Sequence, residues 1–470
     1  MLPNRFVDEV RAVVGADHVL GDAASLEAYS LDALKRSAGG PAELVVLPGS
    51  TAEVAGLARL CNRERVALTP RGAGTGYSGG AVPAAGGVVL SLERLNRILE
   101  IDPHSLLAVV EPNVVTGDLQ RAVEAVGLFY PPDPASLEQS VIGGNVAECA
   151  GGPRAFKYGT TKRYVLGLEA VLPSGDVIRT GGRSVKNVVG YDLTQLLVGS
   201  EGTLAVVTEI ILRLIPRPPA RATLRAPFPT VAHAVEAVGA MLADGVMPAA
   251  MELIDAECLR ALEEQRDTPS PRGLDGALLL VEVDGLPAAI EEEMARVSQA
   301  CWAHGASDVL QAQTEAERDR LWDERRGLSL ALRALAPRKI NNDVVVPMGK
   351  IRDLFELIDQ LRASAALPMP SFGHVGDGNI HVNILVDPAD HDALRRATQA
   401  ERQLFEGVVS LGGSISGEHG IGFAKAPFIG LELSPETIAM MQRIKQVFDP
   451  NGILNPGKIF PQSVPGPDRR

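Results

Sequence analysis

The chain has 470 residues, more than one compact core accommodates, so two or three domains are expected. Its 46% hydrophobic and 22% charged content excludes a disordered or fibrous protein. The formal net charge of −13 argues against a nucleic-acid partner or an anionic membrane surface, both of which attract basic patches.

The N-terminus lacks the basic start and apolar run of a secretory signal, and no stretch approaches the ~20 apolar residues that span a bilayer. A cytoplasmic protein is expected, peripheral at the inner membrane only through partners. Residues before Pro41 read as short amphipathic helices. Glu43–Leu47 reads as a buried strand, and Ser50 or Thr51 caps a helix running to about Glu64 with Val54, Leu57, Leu60 and Cys61 at helical spacing. Val66–Thr69 is a second strand, and further strands fall at Val88–Leu92, Leu106–Glu111, Val165–Leu172 and Thr203–Leu214. Pro216-Arg217-Pro218-Pro219 breaks any regular element and marks the domain boundary. Beyond it, helices at Thr230–Ala243, Ala288–Gly305 and Thr314–Leu335 alternate with strands at Ala277–Glu282 and Asp343–Val346, an α+β arrangement with an open sheet. Cys61, Cys149, Cys258 and Cys301 lie far apart and match no disulfide, zinc or iron–sulfur pattern. They read as inert thiols, and electrons accepted by this chain have no iron–sulfur relay within it.

Directly after the second strand comes Pro70-Arg71-Gly72-Ala73-Gly74-Thr75-Gly76-Tyr77-Ser78-Gly79-Gly80-Ala81. Glycine serves where φ is positive or where backbone must approach a ligand, and N–H groups freed in this way cradle phosphate oxygens. A flexible linker is the plain alternative. Gly74-x-Gly76-x-x-Gly79 fits the dinucleotide fingerprint and Gly76-x-Ser78-x-Gly80 fits the nucleophile elbow, but both need a helix to follow. Gly80, Pro83, Gly86 and Gly87 exclude one.

The loop resembles the pyrophosphate loop of FAD-linked oxidases of the vanillyl-alcohol oxidase and p-cresol methylhydroxylase type. The likeness continues in order through Pro131-Pro132-Asp133-Pro134-Ala135-Ser136, Gly143-Gly144-Asn145, Lys157-Tyr158-Gly159, Gly190-Tyr191-Asp192-Leu193-Thr194 and Gly199-Ser200-Glu201-Gly202-Thr203-Leu204. It implies a two-subdomain FAD-binding domain over residues 41–219, after a helical segment 1–40, and an α+β substrate domain with an antiparallel sheet over 220–455. A C-terminal segment 456–470 would then return to the FAD domain, with Asn455-Pro456-Gly457-Lys458 matching the family at the turn. The cofactor residues implied are Arg71, Gly72, Gly74, Thr75, Gly76, Ser78, Gly79, Pro132, Asp133, Ser136, Gly143, Asn145, Gly202, Val206 and Asn455. Members that attach flavin covalently carry histidine after the Gly-Gly pair; Ala81 stands there, so non-covalent FAD is expected. Cys149 replaces a common asparagine, and it either faces the flavin or fills space.

A second group lies in Gly373-His374-Val375-Gly376-Asp377-Gly378-Asn379-Ile380-His381-Val382-Asn383 and Ser414-Ile415-Ser416-Gly417-Glu418-His419-Gly420. A tight turn brings His374 and His381 together, and strand alternation puts His381 and Asn383 on one face. Two histidines and a carboxylate suit a divalent metal such as zinc, manganese or iron, although five of the eight histidines lie outside the group and a merely hydrogen-bonded pair is the alternative. The resemblance sharpens this to the D-2-hydroxyacid dehydrogenase branch, which includes D-lactate and D-2-hydroxyglutarate dehydrogenases and the flavin subunit of glycolate oxidase. It implies His374, His381 and Glu418 as ligands of a zinc or manganese ion, His419 as proton acceptor and Asn383 as substrate contact. Arg325, three residues after Trp322 on the expected helix, corresponds to a carboxylate clamp, the alternative being a solvated helix arginine. Lys339 lies in a stretch that does not align cleanly with relatives using a lysine there.

The expected reaction is oxidation of a small D-2-hydroxy acid, glycolate or D-lactate, with hydride passing to flavin N5. The external acceptor would be a quinone, a cytochrome, an electron-transfer flavoprotein or an iron–sulfur subunit, in a homodimer or hetero-complex. Rivals are a flavin subunit inactive without partners and a related oxidase of another alcohol.

Overall fold

A computed structural model describes residues 2–36, 41–264 and 276–461. Residues 1, 37–40 and 462–470 of the expected terminal segments lie outside them. Contacts divide the chain into two units, Met1–Gly151 with Thr160–Arg217 and Glu418–Arg470, and Gly152–Gly159 with Pro218–Gly417. The chain thus rejoins the first unit at Glu418, earlier than the return after residue 455 expected from sequence. The backbone supplies the reason: the N–H groups of Ile421 and Gly422 donate to the two oxygens of Glu201, at 2.7 and 2.7 Å, and tie this segment to the first unit. Pro216, expected to break all regular structure, ends a two-residue strand Ile215–Pro216 paired with Leu128–Phe129. Proline is tolerated there because a strand terminus on a sheet edge needs no ladder N–H.

Besides that two-stranded pair, the described residues of the first unit form two larger sheets. In the smaller, Leu44–Val46, Val88–Ser91 and Leu68–Arg71 run parallel, with Val19–Leu20 added antiparallel. Leu44–Val46 and Val88–Ser91 are buried at every position, as parallel strands covered on both faces must be. Helix Thr51–Glu64 covers one face with Val54, Leu57, Leu60 and Cys61. Ser50 Oγ accepts from the N–H of Glu53 at 3.3 Å, and the Glu53 carboxylate accepts from the N–H of Gly49 at 2.8 Å, a reciprocal cap that fixes the helix start. Residues of helix Asn4–Val14 join the same core. The larger sheet is antiparallel, and its strand Val206–Arg213 alternates buried and half-exposed positions, as a one-sided strand does.

The second unit is built on a seven-stranded antiparallel sheet. Its order is Leu310–Gln311, Ala220–Phe228, Ala277–Gly285, Ala250–Asp255, Ser371–His374, Asn379–Val386, Arg338–Val345. Register then decides which side chains share a face. Glu252 pairs with His374, Phe372 with His381, Asp343 with His381 and Asn341 with Asn383, so all seven point to the same side. On that side helices Ala256–Glu264 and Glu315–Leu335 close a small apolar cluster of Ile254, Leu278, Phe372, Leu328 and Leu332.

Candidate active site

In the first unit, strand Leu68–Arg71 runs straight into the glycine loop, and the next regular element is strand Val88–Ser91. No helix follows Gly79. The glycines serve two purposes. A Cβ at Gly72 would lie 2.6 Å from Val141, one at Gly74 2.2 Å from Arg71, and one at Gly79 2.1 Å from Phe423, so these residues are glycine because protein packs on them. Gly74 and Gly79 also have φ of 68° and 83°. A Cβ at Gly76 would meet nothing within 4 Å, so this part of the loop presents bare backbone to open space. Two buried polar atoms beside the loop, Ser78 Oγ and Asn113 Oδ1, have no hydrogen-bond partner among the described residues. Open backbone and unsatisfied donors and acceptors fit a dinucleotide.

Other expected cofactor residues have a scaffolding use. Arg71 Nη1 donates to the carbonyl of Leu31 at 2.7 Å, and its guanidinium stacks on Tyr29, so the charge braces the loop from behind. Asn145 is buried and donates to Thr116 Oγ1 at 2.8 Å. A Cβ on Gly143 would lie 2.9 Å from the Pro112 carbonyl, so its helix start is held close to the turn at Pro112. The Pro132 carbonyl accepts from Gln120 at 2.8 Å, and Ser136 O accepts from the Gln139 and Ser140 N–H groups at 2.8 and 2.7 Å. Asp133 and Thr75 are half-buried, Val206 is buried at its strand start, and Gly202 has φ of 64°. Asn455 donates from Nδ2 to the carbonyls of Gly80 and Glu201, at 3.0 and 2.7 Å, and Lys458 Nζ donates to Val82 O. The segment 455–458 thereby fastens the glycine loop. His419 and Glu418 also belong to this unit. The His419 ring stacks on Tyr77 of the loop, with centroids 5.3 Å apart and planes 29° apart. A Cβ on Gly151 would lie 2.8 Å from Glu418 Oε2.

In the second unit, His374 and His381 stand on the two strands of a hairpin, near its turn, and meet as perpendicular rings with centroids 5.3 Å apart. Each is backed by a carboxylate. Glu252 Oε1 hydrogen-bonds His374 Nδ1, and Asp343 Oδ1 lies 3.6 Å from His381 Nδ1. Asp343 is itself held by Asn379 Nδ2 at 2.6 Å and the Gly417 N–H at 2.9 Å. Carboxylates on Nδ1 set the tautomer and orientation of metal-binding histidines, leaving Nε2 as the ligating atom, so this pair fits a divalent ion. Glu252 also takes the Nε–H of Arg325, whose guanidinium lies 4.4 Å from the centroid of the Phe372 ring. Burial alone would raise the Glu252 carboxyl; the Arg325 charge and the His374 ring instead hold it down to about 2. Arg325 is 6% exposed, which removes the solvated-arginine alternative, and its bond to Glu252 runs through Nε, so its terminal nitrogens are not used in that pair.

Asn383 departs from its expected role as a direct contact. It is fully buried, its Nδ2 donates to the Pro370 and His381 carbonyls at 3.1 and 3.1 Å, and its Oδ1 accepts from Asn341 Nδ2 at 2.8 Å. Asn341 Oδ1 is buried without a partner among the described residues. Glu252, Asp343 and Asn341 are the residues that sequence reasoning did not find. Each is placed by strand register alone, and no local motif announces them.

A bare-backbone phosphate loop with no helix behind it, and a sheet face of carboxylate-backed imidazoles beside a buried arginine, define a flavin-type oxidoreductase rather than a nicotinamide or hydrolase fold. The chain belongs to the FAD-linked oxidase family: residues 42–181 match the FAD binding domain and residues 217–459 the FAD linked oxidases, C-terminal domain. It is 43% identical over 432 residues to the glycolate oxidase subunit GlcD of Bacillus subtilis (strain 168), covering 92% of each chain. It is 37% identical to a D-lactate dehydrogenase of Anaerostipes hadrus, covering 89% of each, and 36% identical to a D-2-hydroxyglutarate dehydrogenase of Stutzerimonas stutzeri (strain A1501), covering 97% and 98%. The fold matches that of substrate-bound p-cresol methylhydroxylase with a TM-score of 0.81 over 97% of both chains, at 18% identity. It is an FAD-linked oxidoreductase with the p-cresol methylhydroxylase type of fold.

Proposed function

We propose that this protein oxidises a small D-2-hydroxy acid, glycolate or D-lactate, to the 2-oxo acid. The observation that carries the reading is the pair of carboxylate-backed imidazoles beside buried Arg325 on one sheet face. The names borne by the relatives support the same substrate class.

FAD, held without a covalent bond since Ala81 offers no nucleophile, supplies the two-electron acceptor. Arg325 binds the substrate carboxylate through its terminal nitrogens, with Glu252 and Phe372 fixing the plane of the guanidinium. His374 and His381, with Glu418, would hold a zinc or manganese ion, whose charge acidifies a bound hydroxyl. His419 accepts the hydroxyl proton as the C2 hydride departs, and Tyr77 holds its ring. Asn383 keeps the His381 strand in register and presents Asn341 to the site.

Mixing the anaerobic holoprotein with a panel of 2-hydroxy acids should bleach the visible flavin band with at least one member, and no bleaching by any of them overturns the substrate class. His419→Ala should slow that reduction by about 100-fold or more while leaving the FAD content unchanged. A second reading, a flavin subunit that works only within a complex, is favoured by the relatives that are named as subunits. Turnover of the isolated chain with an artificial electron acceptor separates the two.

A further inference from the structure

Glu148 ends the short helix Ile142–Glu148, and nothing in the reaction above uses it. Its carboxyl is enclosed by two glycines of different segments. A Cβ on Gly80 would lie 2.6 Å from Oε1, and a Cβ on Gly420 would lie 1.9 Å from Oε2. Gly80 belongs to the flavin loop, and Gly420 directly follows His419. Oε2 is out of reach of solvent and has no hydrogen-bond partner among the described residues. Ser78 Oγ stands alongside without hydrogen-bond geometry to it. Glu201 reaches the same place, its Oε1 3.1 Å from the Gly420 Cβ position.

The two carboxyls do different work. Burial raises the Glu201 carboxyl, and the two backbone N–H groups it receives oppose that rise. Burial first, and the Glu201 charge second, raise the Glu148 carboxyl well above the ordinary range, with no backbone N–H opposing it among the causes. With its two oxygens against two glycines and Oε2 unpaired among the described residues, the carboxyl acts through its shape. We propose that Glu148 is a positioning residue, a wedge between Gly80 and Gly420 that sets the spacing between the flavin loop and the segment carrying His419. This rests on the loop as the FAD cradle and on His419 as the base.

Four full-length variants test it: Glu148→Ala, Glu148→Gln, Gly80→Ala and the double Glu148→Ala/Gly80→Ala. Gly80 carries no positive φ, so an alanine there meets chiefly the wedge. Two quantities are read, FAD affinity from fluorescence on refilling apoprotein, and the rate of flavin reduction by saturating glycolate or D-lactate. Glu148→Ala and Gly80→Ala should each weaken FAD binding about 10-fold and slow reduction by about 10- to 100-fold, the scale of an ångström-sized misplacement. Glu148→Gln, with the same shape and no charge, should stay within about threefold in both. The double variant should recover much of both losses, because the added methyl occupies the emptied space. Wild-type behaviour of Glu148→Ala or of Gly80→Ala overturns the proposal, as does a glutamine variant as impaired as the alanine one, or strictly additive losses in the double. If Glu148→Ala does not fold, the Gly80→Ala and Glu148→Gln results decide alone. Should no acid reduce the wild-type flavin, the reaction assigned above fails, and the affinity measurements still decide on the wedge.

Discussion

Cys149 occupies a left-handed conformation, with φ of 56° and ψ of 46°, where it caps the helix Ile142–Glu148. Side chains with a Cβ are strained there, and asparagine tolerates the region because its short amide bonds locally. The thiol's Sγ lies 3.3 Å from Thr160 Oγ1, a weak contact. Cys149→Asn should therefore raise the unfolding free energy by roughly 0.5–1 kcal/mol, read as a higher melting temperature. The family resemblance singled out Arg325, three residues after Trp322, but nothing in the sequence pointed to Glu252. The bond from Glu252 to His374 spans 122 residues and exists only because two strands pair in one register. Removing either partner of the Arg325–Glu252 pair would strand a buried charge at a cost of about 3–5 kcal/mol.

At the scale of elements, the hairpin of Ser371–His374 and Asn379–Val386 was the most legible part of the site. Its turn residues and its period-two alternation lie within a dozen positions, so local chemistry specifies it. Gly378 shows how tightly it is built: φ is 82°, and a Cβ would lie 1.9 Å from the Val346 carbonyl. Gly378→Ala should destabilise the protein by about 2–4 kcal/mol, measured by denaturant unfolding, and, if the proposed metal site holds, it should bind added zinc or manganese more weakly than wild type. Wild-type stability of the variant would show that the turn does not position His374 and His381. The strand Arg338–Val345 was read from sequence only from Asp343 onward. Its first half is Arg338-Lys339-Ile340-Asn341-Asn342, a polar run without strand character, and pairing with Asn379–Val386 overrides that composition.

For the whole molecule, division into a glycine-rich mixed half and an α+β half was readable because the proline run near residue 217 interrupts both periodicities. The return at Glu418 was not, since the two backbone N–H groups that bind Glu201 leave no mark in composition. Global stability should also depend on Lys339. Burial, with Arg333 adding to it, pushes this amine down from 10.5 to about 8. Between those values the unfolded chain keeps a proton that the folded chain has released, so this residue's contribution to stability rises as pH climbs from about 8 to 10.5. Below pH 8 the folded state carries the full cost of a buried charge. Lys339→Met should therefore exceed wild type by on the order of 1 kcal/mol at pH 7 in denaturant unfolding, with the advantage fading toward pH 10.5. An advantage that grows with pH would contradict the assignment.

The bridge between Leu68 and Leu454, with Asn455 capping the glycine loop, has a consequence for biosynthesis. Strand Leu68–Arg71 is translated before every residue of the second unit, yet its neighbour Leu454 follows all of them. At roughly 5–20 residues per second the cradle stays open for tens of seconds on the nascent chain. Cofactor capture is thereby deferred until that segment is made, and a ribosome-stalled chain ending before Leu454 should bind FAD far more weakly than the full 470-residue chain.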